Sequence, residues 1–426
     1  MDHRTRAKDR HTRAKIIHLT CGEGGELGEN LITLALNLPR SRCDQTVVGA
    51  LPRQMRDELA RHAVRWVNVG ATAPGTANDQ APTARQLERL IAASEATVLH
   101  AHGMQAGILA SQVIRDLSPR PATVLSTCGF AAPPPRRGLL GPVRDRAFRK
   151  AIAGFDRILV ESEAELARLQ AYEPRAAGRA AVLRPFVDTN RYSHKIDAGA
   201  KRRKVGLLGE AALVGFAGPL VERHGLETLL RAAGVIIADL PNVEFLLIGD
   251  GPLQDSLQAL AHSLRISGSV VFLKDRADVP EVIAAMNVLV APSPGEGGML
   301  RALQALSLQI PIVAVGGATT SEYLGSLEEV VVVPPGDPEA MAEGIRQQLE
   351  VLPPADVPPG AVSEMGLPLS HDDFLVSREE YDLDRTGLKR RLRAFGEVDA
   401  AEQALERHDV RHAAERVAEF YEELVH

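Results

Sequence analysis

Short runs of consecutive apolar residues alternate, through most of the chain, with longer stretches whose apolar positions recur every three or four residues. KIIHLT (15–20) leads through a glycine-rich turn into ENLITLALNLP, and QTVVGAL (45–51) leads into RQMRDELARHA. ATVLHAH (96–102), ATVLST (122–127) and DRILVES (156–162) follow at intervals that leave room for crossover helices. An unbroken apolar run between helices predicts a strand buried on both faces, hence a parallel sheet covered by helices. A second set begins near 213 with ALVGFAG. It continues with VEFLLIGDG (243–251), SVVFL (269–273), VLVAPS (288–293), IPIVAV (310–315) and EVVVVPPG (329–336). The gaps carry helical stretches such as HGLETLLRAAGVIIADL and EAMAEGIRQQLEVL.

Two Rossmann-like, doubly wound α/β domains in tandem are therefore expected, each taking ligands beyond the carboxyl ends of its strands. The boundaries read as a flexible basic tail over 1–14, a first domain over 15–190, a polar linker over 191–210 and a second domain over 211–352. A proline-rich segment, irregular or helical, covers 353–399, and a closing helix covers 400–426. Apolar spacing through Val410, Ala414, Val417, Phe420, Tyr421 and Leu424 predicts one continuous helix from 400 to 425.

Composition narrows the function classes. At 426 residues the chain exceeds one compact core. A net charge of -6 argues against general nucleic-acid binding. Cys21, Cys43 and Cys128 lack metal-ligand spacing, and so sparse a set suits a reducing cytoplasm. No apolar run reaches the ~18 residues of a membrane span. The N-terminal MDHRTRAKDRHTRAK is basic, but IIHLT is too short for a signal-peptide core.

Candidate chemistry sits at strand ends. In TCGEGGELGEN (20–30), Gly22, Gly24 and Gly28 miss the dinucleotide fingerprint by one residue, and the next strand ends without a ribose-binding acid. A nicotinamide enzyme is thereby disfavoured, yet Gly24 and Gly25 permit close backbone approach to a ligand. HAHG (100–103) places His102 at a strand end, as a ligand-side group or a structural histidine. STCGF (126–130) places Cys128 likewise, more simply read as a packed small residue. The stretch 133–155 gathers Arg136, Arg137, Arg144, Arg146, Arg149 and Lys150 around one acid, Asp145. It is either a solvated helix face or a contact for an anionic acceptor or acidic membrane surface. IGDGP (248–252) and GEGGML (295–300) are two glycine-rich strand-to-helix turns in one domain, suited to a phosphorylated ligand.

These segments together resemble the family-4 glycosyltransferases of the GT-B fold. GFAGPLVERHGLETLLRAA, VEFLLIGDGP, the stretch from VVFLKDRADVPEV to SLQIPIVAV, and VVVPPGDPEAMAEGI carry the likeness to the donor domain. GEGGELGENL, VLHAHG, STCGF, VESEAELARL and VLRPFVD resemble the acceptor domain more loosely. The resemblance implies two domains facing a central cleft, a closing helix that braces the first, and retaining transfer from a nucleotide-diphosphate sugar. The acceptor it implies is a sugar or a lipid-linked saccharide. With no acidic metal pair at a strand end, no metal is expected, and no cofactor beyond that co-substrate; the cytoplasmic enzyme expected from its cysteines would make peripheral contact at the inner membrane face if the basic stretch docks there.

Carried onto this sequence, the family's pattern makes His102 and Glu296 the catalytic candidates. The donor would meet Gly24, Gly25, Gly218, His224, Gly249, Gly251, Gly297, Gly298, Met299, Leu300 and Gln304. Several positions depart from the pattern. Pro219 stands for an Arg and His224 for a Lys, the two cations that hold the diphosphate; Gln304 stands for the second acid of E-x7-E. In the first domain, Cys128 replaces a His and Pro185-Phe186 an Asn-Gly pair. His224, if a bound diphosphate keeps it protonated, would compensate in part for the lost cations, and Arg223 or Arg301 could also reach. These departures also suit a non-catalytic relative acting as a binding or partner subunit. A nucleotide-sugar epimerase on the same fold matches the segments less well.

Overall fold

A computed structural model describes residues 13–21, 25–68, 80–130, 141–193, 211–274, 278–293, 298–350 and 398–425. The first sheet contains β1 (Ala14–Thr20), β2 (Cys43–Val48), β3 (Arg65–Val67), β4 (Val98–His102), β5 (Ala122–Ser126), β6 (Arg157–Val160) and β7 (Ala180–Val182). Its spatial order is β3-β2-β1-β4-β5-β6-β7, and the pairings are parallel. The second sheet contains β8 (Ala212–Ala217), β9 (Val243–Ile248), β10 (Val270–Leu273), β11 (Val288–Ala291), β12 (Ile312–Val315) and β13 (Val330–Val333). Its order is β10-β9-β8-β11-β12-β13, again parallel. In both, the order reverses beside the first strand, which opens a crevice at the strands' carboxyl ends.

Helices cover both faces of each sheet. In the first domain Ile17, Leu19, Leu99 and Leu125 face one core with Phe130 and Phe155. Their alternates Ile16, Val98 and Val124 face another, closed by the final helix (Val410–Val425) through Val417, Phe420 and Tyr421. The second sheet is sandwiched in the same way, with Leu246 and Leu289 on one side and Phe245 and Val290 on the other.

Three features differ from the sequence pattern. Gly49, at φ 149°, ends β2 before the predicted Ala50 and Leu51, which lie outside the strand. The edge strands β3 and β7 were not predicted: each has three residues and none fully buried, so neither carries an apolar run. The expected single helix over 400–425 is two, Val398–Arg407 and Val410–Val425. The break is a backbone bridge: Val187 N–H donates to the His408 carbonyl at 2.8 Å, and Val410 N–H donates to the Val187 carbonyl at 3.0 Å. Ala404 and Leu405 before the break pack on the second domain, whereas Val410 after it enters the first domain's core. The basic tail to residue 12, linker residues 194–210 and most of 353–399 lie outside the described residues.

Candidate functional site

On the first domain, parallel register sets His18 beside His100 and Thr20 beside His102, so three imidazoles share one face of β1 and β4. His18 Nδ1 and His102 Nε2 are 3.0 Å apart and hydrogen-bonded. His100 Nδ1 meets the Tyr421 hydroxyl at 2.6 Å, and its Nε2 meets Ser126 Oγ at 2.7 Å. All three rings are buried. Burial pushes the His18 pKa down to about 4, against a smaller opposing pull from Gln45. Burial, and then neighbouring imidazoles, hold His100 and His102 well below the usual range. The rings are therefore neutral at pH 7. One nitrogen from each lies within 4.8 Å of the others, a spacing that could admit a metal ion. The fit is poor, because both His100 nitrogens already have hydrogen-bond partners. His102 also lines a cavity of about 40 Å³ with Ser126, Cys128, Glu161 and Arg184.

On the second domain the backbone carries the site. An added Cβ at Gly249 would lie 1.9 Å from the Gly218 carbonyl oxygen, so this turn packs backbone on backbone only as glycine. Gly251 is packed similarly against the Leu220 carbonyl. Gly298 begins the helix Gly298–Ser307, whose residues are all buried. Met299 packs into the core with Ala302 and Leu303, and Leu300 is buried as well. His224 ends a short 3-10 turn and is buried. Its pKa falls to about 4, through burial first and then the charges of Arg223 and Arg301. Without a bound anion beside it the ring is neutral. Neither of its nitrogens has a hydrogen bond among the described residues.

The two domains meet through charges: Arg301, one of the candidate replacement cations, and two acids not among the sequence candidates, Glu26 and Glu29. Glu26 and Glu29 lie one turn apart on the first domain's opening helix (Gly25–Asn37) and face the second domain. Arg301 Nη1 donates to Glu29 Oε2 at 2.8 Å and to Gln304 Oε1 at 2.6 Å, while its Nε donates to the Ala217 carbonyl at 2.9 Å. Gln304 Nε2 and the Tyr192 hydroxyl donate to Glu29 Oε1 at 2.7 and 2.6 Å. Burial alone would raise the Glu29 pKa, but Arg301, Tyr192, Arg191 and Gln304 outweigh it and hold the carboxyl below its ordinary range. Glu26 sits 3.8 Å from Arg301 Nε and 3.9 Å from His224 Nε2. Gly25, at φ 65°, brings the turn after β1 against Pro219: an added Cβ would stand 3.3 Å from its ring. The turns following β1 and β8 therefore face each other across the cleft. A second contact joins Ser162 and Thr319 hydroxyls at 3.0 Å, with Thr319 donating to Glu165 at 3.1 Å.

Gly25, Gly218, His224 and Gln304 thus converge at the interface, and Gly249 buttresses Gly218. His102 lies in the first domain's interior beside its small cavity. Gly24, Arg136, Arg137, Glu296 and Gly297 lie outside the described residues, as does the side chain of Arg144. Glu26 and Glu29 had one sequence signal, two acids spaced i, i+3 directly after a glycine turn at a strand end.

Residues 29–191 match the family described as Glycosyltransferase Family 4, and residues 211–350 match Glycosyl transferases group 1. The chain belongs to the family-4 glycosyltransferases. Its two parallel-sheet domains have the GT-B fold. D-inositol 3-phosphate glycosyltransferase of Corynebacterium urealyticum is 30% identical over 214 residues, 47% of this chain and 50% of that one. The lipopolysaccharide core biosynthesis glycosyltransferase LpsE of Rhizobium meliloti is 32% identical over 148 residues, 34% of this chain and 42% of that protein. The chain spans about half the length, or less, of these relatives. Among solved structures, Anabaena HepE in complex with UDP and glucose superposes with a TM-score of 0.71 at 19% identity, over 96% of this chain and 100% of HepE. Among the described residues of this family-4 glycosyltransferase, no helix is long and apolar enough to cross a membrane.

Proposed function

We propose that the protein takes a sugar from a nucleotide-diphosphate sugar and transfers it, with retention, to a glycan or lipid-linked acceptor. The observation that carries the reading is the apposition of the turns after β1 and β8, where Gly25 meets Pro219 and Gly218 lies against Glu26 and His224. In a retaining transfer the leaving diphosphate oxygen takes the acceptor's proton on the same face, so the protein supplies mainly geometry and charge stabilisation. His102, neutral through burial, would offer the sugar a hydrogen bond rather than a charge. Glu296 would orient the sugar's hydroxyls. Metal and cofactor have no part in the proposal.

HepE structures hold UDP and UDP-glucose, which makes UDP-glucose the first donor to test. The assay is release of UDP from UDP-glucose by purified protein, with and without candidate acceptors. Turnover should disappear in Glu296→Ala and His102→Ala; turnover indifferent to both would sink this assignment. A cytoplasmic location is proposed, with peripheral contact at an acidic inner membrane face through Arg136, Arg137 and Arg144. Pelleting with acidic vesicles should weaken in the Arg136→Ala/Arg137→Ala variant, and equal pelleting with neutral vesicles would remove that contact.

A second reading, a partner subunit without activity, is favoured by the donor site itself. Pro219 offers no cation, His224 is neutral and Arg301 is already paired. Absence of turnover, with no thermal stabilisation by any nucleotide at millimolar concentration, would support it over catalysis.

A further inference from the structure

The notable property of the cleft is that its anion-binding equipment is already satisfied by the protein's own acids. Arg301 is the buried cation beside Gly218 and His224, and Glu29 neutralises it at 2.8 Å. Glu26 adds a second carboxylate, 3.8 Å from Arg301 and 3.9 Å from His224. It also lies against the strand-end Gly218, where an added Cβ would be 3.4 Å from its Oε1. Gln304, the residue at the position of the family's second acid, is closed off as well: its two amide atoms bond Arg301 and Glu29. His224 meanwhile keeps two buried nitrogens without hydrogen bonds among the described residues. A ring so placed lies where a phosphate oxygen could give or take a bond.

We propose that Glu26 and Glu29 are internal competitors of the donor, occupying Arg301 in the empty enzyme until the diphosphate of a nucleotide displaces them. This rests on the donor-binding reading above and adds two specificity-determining residues to it. Both charges belong to one helix, so a small retreat of the first domain removes them together. Arg301 then turns from an interdomain partner into the cation that Pro219 cannot be. Neutral ligands gain nothing from the exchange, because only an anion replaces the lost pairing. The clasp therefore selects for the diphosphate and holds the cleft shut without it.

The test is calorimetric titration of UDP, GDP and ADP into wild type, Glu29→Gln, Glu26→Gln, and Glu29→Gln combined with Arg301→Gln, each checked for folding by circular dichroism and melting. Glu29→Gln keeps the side chain's shape and removes its charge, so the preferred diphosphate should bind at least about tenfold more tightly, equivalent to about 1.4 kcal/mol. Uridine without phosphates should show no such gain, and the added Arg301→Gln change should abolish the gain for the diphosphate. If Glu29→Gln does not fold, Glu26→Gln carries the same expectation. Wild type that binds a diphosphate, with the neutralised variants binding equally or more weakly, would overturn the clasp and leave the transferase reading standing. No binding by any variant would overturn both.

Discussion

Acidification should weaken the first domain through His18, and the size of the effect follows from its environment. His18 is fully buried, and its pKa falls from 6.5 to about 4. Below pH 6.5 the unfolded chain takes up a proton that the folded ring refuses, so the stability present above that pH is lost as pH falls toward 4. Each pH unit in that window is worth about 1.4 kcal/mol per group, which gives about 2 kcal/mol at pH 5 and about 3 kcal/mol once the folded ring also titrates. His100 and His102 shift in the same direction and add to the loss. The assay is hydrogen exchange of peptides spanning β1 and β4 between pH 7.5 and 5, corrected for intrinsic exchange, in wild type and His18→Gln. A two-domain chain need not unfold in one step, so a readout confined to these strands is required. The variant should show a shallower dependence, by about one proton, whatever its absolute stability. Equal slopes in both proteins would refute the claim that this ring is held neutral by burial.

Two further outcomes follow from contacts on opposite sides of the cleft. Gly249→Ala forces a methyl to within 1.9 Å of the Gly218 carbonyl, so the turn must move; a loss above about 3 kcal/mol and of nucleotide binding is expected, read by thermal melting with and without UDP. Tyr421→Phe removes the hydroxyl that meets His100 Nδ1 at 2.6 Å and leaves a buried nitrogen without its partner, costing about 1–3 kcal/mol in urea denaturation; an unchanged midpoint would show that the hydrogen bond contributes nothing net.

The fold was legible in the sequence where burial on both faces writes itself as an unbroken apolar run, as in VEFLLI and IVAV. It was illegible at β3 and β7, whose partly exposed edges leave no such run, and at His408, where a backbone bridge from Val187 interrupts an otherwise helical period. Gly218, Gly249 and Gly298 could be located from glycine turns at strand ends because that signal is local. The charge state of His224 could not, since it is set first by burial, which no local pattern shows, and only then by its neighbour Arg223 and the distant Arg301. The pairing of Glu29 with Gln304 spans 275 positions and two domains, and no periodicity encodes it. Arg301, one candidate replacement cation, is indeed at the cleft, but committed to Glu29.

The final helix also sets an order of events during synthesis. His100 and the Tyr421 that caps it are 321 residues apart, and Phe420 completes the core over Ile16, Val98 and Val124. At the usual pace of translation the strands wait roughly a quarter of a minute to a minute for that helix to leave the ribosome. Through that interval the core over Ile16, Val98 and Val124 lacks the cover of Val417, Phe420 and Tyr421, and the second domain's last strand, ending at Val333, is made before that cover arrives. A nascent chain stalled before residue 410 should accordingly be a strong client for chaperones that bind apolar surface. The domain made first is the domain finished last.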